Sequence, residues 1–364
     1  MPLPQTRVYV CLSMAGLLCL KPLVVLLLTV DQVKLQLNNS VPNVAAIVIG
    51  RNEGERLKRC INSIIGQVSH IVYVDSASSD CSVKNAYNLG ALVIKLSQHN
   101  VFCAAVARNE GYRYVQKNLT QVDYIQFVDG DCEIDSGWVQ LALNYLTQSP
   151  QYAIACGRRA EIDIDRSRYN RFCDIEWDTP IGDAIACGGD VLIRRTAFEQ
   201  VAGYCEDLVA GEEPEMCVRL RKLGWKISRL DAPMTYHDAD ITRFHQWWRR
   251  TARAGHAFFA VWYIHRNTAH SIWKRETCSA VFWTLLLPVA LVAMFANSLF
   301  GVLILLYPIQ LMRMWRRAMC SGDSRKQFDW VLYLMLGKFA EGYGIANCVV
   351  QRLLGHTPKI YEYK

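Results

Sequence analysis

Tyr124-Ile125-Gln126-Phe127-Val128-Asp129-Gly130-Asp131 is the stretch on which the fold turns, an apolar run that ends abruptly in two carboxylates one residue apart. Residues 124–128 read as a buried β-strand, and the acidic turn after it places polar groups at the strand's carboxyl end. The pattern recurs upstream. Residues 45–49 are a short apolar strand that stops at Gly50-Arg51-Asn52-Glu53, and residues 70–74 a second that stops at Asp75-Ser76-Ala77-Ser78-Ser79-Asp80. Helical periodicity fills the gaps at 53–65, 82–89 and 101–116, with a further strand at 92–96. This alternation predicts right-handed βαβ units and an α/β domain with a mostly parallel sheet across 43–240. Ligands of such sheets lie beyond the carboxyl ends of the strands, so the three polar loops and Arg108-Asn109 are expected in one crevice.

Composition narrows the class. Of 364 residues, 52% are hydrophobic and 20% charged, with a net charge of +7. This excludes a disordered tail, a collagen-like fibre and a small disulfide-stapled module. The charge is too small to argue for a nucleic-acid partner. Fourteen cysteines are scattered without any C-x-x-C. Zinc and redox motifs need thiols paired at short spacing, so these read as reduced, mostly buried small hydrophobes in a cytosol-facing protein.

Both ends are more apolar than the middle. Residues 8–30 are nearly continuous hydrocarbon, interrupted by Lys21-Pro22, with no clear cleavage site before Asp31, so 1–42 reads as an N-terminal apolar segment and membrane anchor. Residues 280–312 are uncharged and divided at Asn297-Ser298, with Lys274 and Arg275 before and Arg313, Arg316, Arg317, Arg325 and Lys326 after. A single upright span needs about 20 residues. Basic flanks on both sides put both ends in the cytoplasm, which makes a tight hairpin, crossing twice or re-entrant. Residues 331–354, striped by Lys338, Glu341 and Arg352, suit an interfacial helix. Residues 241–275, with Trp247, Trp248, Arg249, Arg250 and Arg253, suit a second, upstream of the 276–364 membrane region.

Singly, each polar loop is also an ordinary turn or helix cap. Together they fit one chemistry. Asp129 and Asp131 can hold Mg²⁺ or Mn²⁺ together with phosphate oxygens. Arg108 offers a fork of donors to a diphosphate, and Asp75 an acceptor for a base or ribose group. Downstream, Gly211-Glu212-Glu213-Pro214-Glu215 opens a helix that runs to Gly224. Glu213 then falls at the N-cap with Glu212 just before it, either as capping acids or as a general base. In the second case helix N-terminal charge should keep the carboxylate at or below the Glu reference of about 4.3.

From Asn43 to about Arg253 the chain resembles the family 2 glycosyltransferases of the GT-A fold, which is Rossmann-like. The resemblance is carried by Asn52-Glu53, the Asp75 loop, Ala107-Arg108-Asn109-x-Gly111, the D-x-D at Asp129–Asp131, Gly188-Gly189 through Arg194-Arg195, and the G-E-E-P-E run. It implies a nucleotide-sugar donor, usually UDP-linked, and inverting transfer without a covalent intermediate. Asp75 would contact the base, Asp129 the nucleotide and Asp131 the metal, with Glu53 and Arg108 beside the donor. Glu213 would be the base, where the family usually has Asp, and that departure leaves Glu212 a rival. His237 would approach the metal or diphosphate, or else be structural. Gln246-Trp247-Trp248-Arg249-Arg250 is similar to the Q-x-x-R-W motif of processive members, but Arg250 stands where they have Trp, which puts processivity in doubt. Gln246, Arg249 and Arg250 are counted with the donor site.

The expectation is a transferase of the inner cell membrane, catalytic part facing the cytoplasm, building a polysaccharide or glycolipid on a lipid-linked or polysaccharide acceptor. Transfer to polyprenyl phosphate is the alternative enzyme, and a non-catalytic assembly subunit the alternative class. No G-x-G-x-x-G follows the first strand, which sets aside a dinucleotide oxidoreductase.

Overall fold

The computed structural model describes residues 43–96, 103–318 and 324–355; the expected anchor at 8–30 lies outside them. β1 (Val44–Gly50) is buried almost end to end, because it is a central strand covered on both faces, and this is why its sequence is a continuous apolar run. α1 (Gly54–Ile64) returns the chain by burying Leu57, Cys60, Ile61 and Ile64, one helical stripe. β2 (His70–Asp75), α2 (Ser82–Asn88), β3 (Leu92–Lys95), α3 (Ala104–Asn118) and β4 (Tyr124–Asp129) follow. The four strands lie in the order β3-β2-β1-β4, all parallel. Gln126, the polar residue inside β4, is buried and accepts from Trp138 Nε1 at 3.0 Å.

Beyond β4 the sheet is mixed. The chain forms β5 (Cys132–Ile134), α4 (Trp138–Gln148), β6 (Tyr152–Glu161), α5 (Arg168–Trp177), β7 (Gly182–Ala184), β8 (Val191–Arg194), α6 (Arg195–Gln200), α7 (Glu212–Lys222) and β9 (Lys226–His237). The order continues β4-β8-β6-β9-β5, with β7 on β9. β8 runs antiparallel to both β4 and β6, β9 antiparallel to β5 and β7, and β6 parallel to β9. His237 is the last residue of β9.

The C-terminal third is helical: α8 (Phe244–His265), α9 (Lys274–Ala296), a 3₁₀ segment (Ser298–Leu305), α10 (Leu306–Ala318) and α11 (Ser324–Leu353). The expected break at Asn297 is present, and its Oδ1 caps the next turn by accepting from Leu299 N. Lys274–Ala296 and Ser298–Ala318 are each long and apolar enough to cross a membrane, with little or none of the apolar stretch covered by the rest of the chain. Phe295 is 92% exposed and Leu299 73%.

The helix expected at 331–354 lies within α11, and one of its faces is taken up by protein. α11 lies along α8 in close backbone contact, because small residues face each other. A Cβ on Gly255 would collide with the Glu341 backbone, and one on Gly344 with the Ala252 carbonyl. Trp247, expected at the membrane interface, is corrected. It is buried, stacked on Tyr169 and edge-on to Tyr333 of α11, so it packs protein rather than headgroups. Gly344→Ala should therefore force the two helices apart and cost about 1–3 kcal/mol, read as a lowered thermal midpoint of the full chain. An unchanged midpoint would mean that the contact is looser than described.

Candidate active site

The loops after β1 and β2 are stitched together. Asn52, left-handed at φ 57°, donates its backbone N–H to Ser78 Oγ and accepts from Ser79 N through Oδ1. Ser82 Oγ accepts from the backbone N–H groups of both Glu53 and Gly54, capping α1 from a separate element. Asp75 is held inside this knot. Its Oδ1 accepts from the Tyr73 hydroxyl at 2.9 Å and its Oδ2 from Ser78 N at 2.9 Å, and it is buried. Ser76 lines the crevice that opens here, and Asp75, expected to face the nucleobase, is the buried residue next to it. Glu53 does line it, paired with Arg56 at 2.8 Å.

That crevice has a volume of about 880 Å³, and Arg108 sits at its floor. The guanidinium is 2% exposed, and both of its terminal nitrogens are engaged with carboxylates. Nη1 donates to Glu212 Oε1 at 3.0 Å and to Glu213 Oε1 at 2.9 Å, and Nη2 to Asp129 Oδ1 at 2.8 Å. The expected fork for a diphosphate is corrected accordingly: Arg108 holds the acidic side chains of the crevice in place. Burial works against its charge, but Glu213 and Asp129 more than offset this and hold the cation. Burial likewise opposes ionisation of Asp129, yet Arg108 and then Arg159 keep it well below the usual carboxylate range.

Asp131 and His237 form the second focus. His237 Nε2 faces Asp131 Oδ2 at 3.4 Å, while Nδ1 faces Glu161 Oε2 at 3.4 Å. Burial, then Arg159, lowers the imidazole pKa, so the ring is neutral and carries one proton. Placing that proton on Nδ1, toward Glu161, leaves the Nε2 lone pair opposed to the carboxylate of Asp131. Two acceptors converging on one point fit a cation between them, and Glu161 then orients the ligating ring. Ligand atoms of Asp131, Cys132 and His237 lie within 4.8 Å of one another, as do those of Asp129, Cys132 and Asp190. Oxygen and imidazole donors suit Mn²⁺ or Mg²⁺. Cys132 fits poorly as a ligand, since burial pushes its thiol pKa up and Sγ donates to Asp131 Oδ1.

The third focus is the start of α7. Gly211 is the N-cap, left-handed at φ 84°, so Glu212 and Glu213 are the first two helical residues rather than the residue before the cap and the cap itself. The helical turn separates them: Glu212 is 4% exposed and Glu213 16%, so Glu213 presents more of its carboxylate to the crevice. Its pKa is pushed up to about 7, by burial first and then by the charge of Glu212, with Arg108 opposing. The expectation that helix N-terminal charge would keep it at or below the reference is overturned, because one arginine shared among three carboxylates does not offset burial. Gly189 closes the gap between the groups. A Cβ there would lie 3.0 Å from Asp129 Oδ2 and 3.2 Å from Glu213 Oε1 and would collide with Arg108 Nη2. This explains Gly189, the second glycine of the pair.

The Q-x-x-R-like run divides. Gln246 Oε1 accepts from the backbone N–H groups of Thr242 and Arg243, capping α8, and does not line the crevice. Arg249 is exposed and away from it as well. Arg250 does line it, paired with Glu176 at 2.6 Å.

Three contributors were missed by sequence reasoning. Arg159 reaches Asp129 and Asp190 at 3.4 Å each and lies over the Trp177 ring at 4.8 Å. Asp190 Oδ1 accepts from Asp129 N at 3.0 Å and so fixes the D-x-D turn. Glu341 enters from α11. The only signal for Arg159 was an Arg-Arg pair inside an apolar strand, and Asp190 stood in the quoted Gly-Gly-Asp without a role.

Residues 45–201 match the family model described as glycosyl transferase family 2. A pre-mycofactocin glycosyltransferase of Mycobacterium tuberculosis is 23% identical over 226 residues, 58% of this chain but only 46% of that protein, so the chain spans about half its length. Glycosyltransferase AglE of Haloferax volcanii is 20% identical over 247 residues, 63% of this chain and 77% of the relative. The mannosyltransferase PcManGT from Pyrobaculum calidifontis, solved in complex with GDP-Man and Mn²⁺, superposes with a TM-score of 0.52 at 13% identity, covering 86% of this chain and 88% of that one. Residues 45–201 form a family 2 glycosyltransferase domain, and the fold that carries it is the GT-A fold.

Proposed function

We propose that the chain moves a sugar, with inversion, from a nucleotide-diphosphate donor of the UDP series to a hydroxyl of a membrane-linked, polysaccharide or glycolipid acceptor. The observation that carries this reading is the joining of Glu213 and Asp129 by one buried arginine, with Asp131 and His237 opening on the same crevice. Asp131 and His237 would hold Mg²⁺ or Mn²⁺, which when bound supplies charge neutralisation for the diphosphate leaving group. Asp129, with its turn fixed by Asp190, would meet the nucleotide side. Glu213 takes the proton from the acceptor hydroxyl as its oxygen bonds to the anomeric carbon from the face opposite the departing nucleoside diphosphate. A base with pKa about 7 is well matched to that transfer at neutral pH.

Incubating membranes that contain the full chain with a panel of labelled UDP- and GDP-sugars tests the reading. Consumption of one UDP-sugar, with a product of inverted anomeric configuration, is the expected result. Preference for a GDP-sugar would overturn the UDP assignment, and retained configuration the single displacement.

The exposed apolar length of α9 and of the segment after it supports a membrane foot, and the basic residues flanking that pair favour a cytoplasmic active site. On this reading the catalytic domain is 43–240, and 276–364 is the membrane region. A cysteine introduced at Ser298 should label from outside intact cells if the hairpin crosses fully, whereas positions in 158–180 should not. External labelling of 158–180 would reverse the topology.

A further inference from the structure

The crevice continues past Glu213 to a wall of different composition. Thr251, Ala257 and Phe258 of α8, Glu341 of α11, and Trp273 line it, so it sets apolar and aromatic surface beside charged groups, and it lies where the catalytic domain meets the first long apolar helix. Trp273 is the residue just before α9 and is held left-handed at φ 65°, an uncommon conformation for a tryptophan. Its ring packs edge-on against Phe258 at 5.0 Å, and a Cβ on Gly211 would come within 3.3 Å of it. The indole thus borders the loop that presents Glu212 and Glu213.

The charges on this side are chiefly acidic. Glu176, Glu212, Glu213 and Glu341 line the crevice against Arg250 and Arg253. Both arginines are engaged by the protein, Arg250 with Glu176 at 2.6 Å and Arg253 through Nη2 with the Val209 carbonyl at 3.0 Å. Glu341 Oε2 pairs with Lys338 at 2.7 Å, and Lys338 is not part of the wall. An incoming phosphate would meet carboxylates in this wall, whereas a hydroxyl can donate to them.

We infer that this far wall is the acceptor subsite and that it takes an uncharged, hydroxyl-bearing head on an apolar body rather than a lipid phosphate. Trp273 and Phe258 pack the body next to the head, and Glu341 accepts from a head-group hydroxyl. The inference rests on the reading of Glu213 as base and refines it. In the transfer, the acceptor oxygen–anomeric carbon bond forms, the bond to the diphosphate breaks, the hydroxyl proton passes to Glu213 and the nucleoside diphosphate leaves. A phosphate acceptor, already anionic, has no such proton to give.

The test uses the full chain in phosphatidylcholine vesicles, with a labelled donor that it consumes and two acceptors of equal chain length, dodecylglycerol and dodecyl phosphate. Dodecylglycerol should receive sugar at least ~10-fold faster, since like charges oppose its competitor. Glu341→Gln should raise KM for dodecylglycerol about 5–10-fold with a smaller change in kcat, as loss of one charged hydrogen bond to the ligand predicts, and Glu341→Asp should restore part of it. Faster transfer to dodecyl phosphate would overturn the inference while leaving the transferase reading intact. An unchanged KM in Glu341→Gln would remove Glu341 from the subsite and overturn its assignment. If no nucleotide sugar is consumed under any condition, the underlying reading fails and this one with it.

Discussion

Glu213→Gln should slow sugar transfer by roughly 10²–10⁴-fold while leaving nucleotide affinity nearly unchanged. The amide keeps the shape of the side chain and can remain next to Arg108, so the arginine stays anchored to Glu212 and Asp129. What is lost is the proton acceptor alone. Glu212→Gln is the informative partner, because Glu212 is the more deeply buried of the two and shares the same guanidinium nitrogen. Its removal lessens the negative charge beside Glu213, so the pKa of Glu213 should fall and its basicity with it, which is a milder loss. If Glu212→Gln is the inactive variant, the base is one residue earlier; if both transfer normally, the pair only opens a helix.

The same carboxylate sets a pH dependence. Glu213 is raised to about 7, and only its ionised form accepts a proton. Transfer measured as kcat/KM should therefore rise with pH through about 7 and level off above it, and this limb should vanish from the residual rate of Glu213→Gln. A profile already flat from pH 5 upward would mean that the carboxylate titrates in the ordinary range and that Arg108 outweighs burial.

Asp131→Ala should reduce donor turnover by about 10³-fold or more, in line with the several kcal/mol a cation contributes to a diphosphate leaving group. The substitution removes one of the two acceptors that face each other across 3.4 Å and leaves His237 Nε2 alone. Excess EDTA on the wild-type protein should produce a comparable loss, reversed by Mn²⁺ or Mg²⁺. His237→Ala should weaken metal affinity more than maximal turnover, because one carboxylate and the diphosphate oxygens would remain as ligands. Equal losses in both variants at saturating metal would mean that His237 has a larger part than orientation.

The half of the fold that was legible in the sequence is the half with a simple burial pattern. β1, β2 and β4 are covered on both faces and read as apolar runs, each ending in polar residues. The mixed half is less regular. β6 carries Arg158 and Arg159, which bond to Asp174 on one side and Asp129 and Asp190 on the other, and β9 contains Asp231 and Pro233. Its pairing with β6 shifts register three times, so no period of two survives. The site divides in the same way. Strand-end position was enough to bring Asp129, Asp131 and Glu53 to the crevice, but not to say what Arg108 would touch. Its partners lie 21, 104 and 105 residues away, and only the folded chain shows that they engage both of its terminal nitrogens. The same holds for Asp75, whose two oxygens each accept one bond from within the fold, from Tyr73 and Ser78. Gln246 shows the reverse case, a motif-like residue whose side chain completes a helix cap.

On the proposed reading, a metal at Asp131 and His237 and a base at Glu213 act on one nucleotide sugar in one crevice. Nucleotide release from a labelled UDP-sugar, followed for the full chain in vesicles with dodecylglycerol, tests it most directly. Predicted is release that requires Mn²⁺ or Mg²⁺, stops on adding EDTA, is lost in Asp131→Ala, and in Glu213→Gln falls by about 10²–10⁴-fold although the nucleotide still binds. Undiminished release in excess chelator, or from the Asp131→Ala protein, would contradict it.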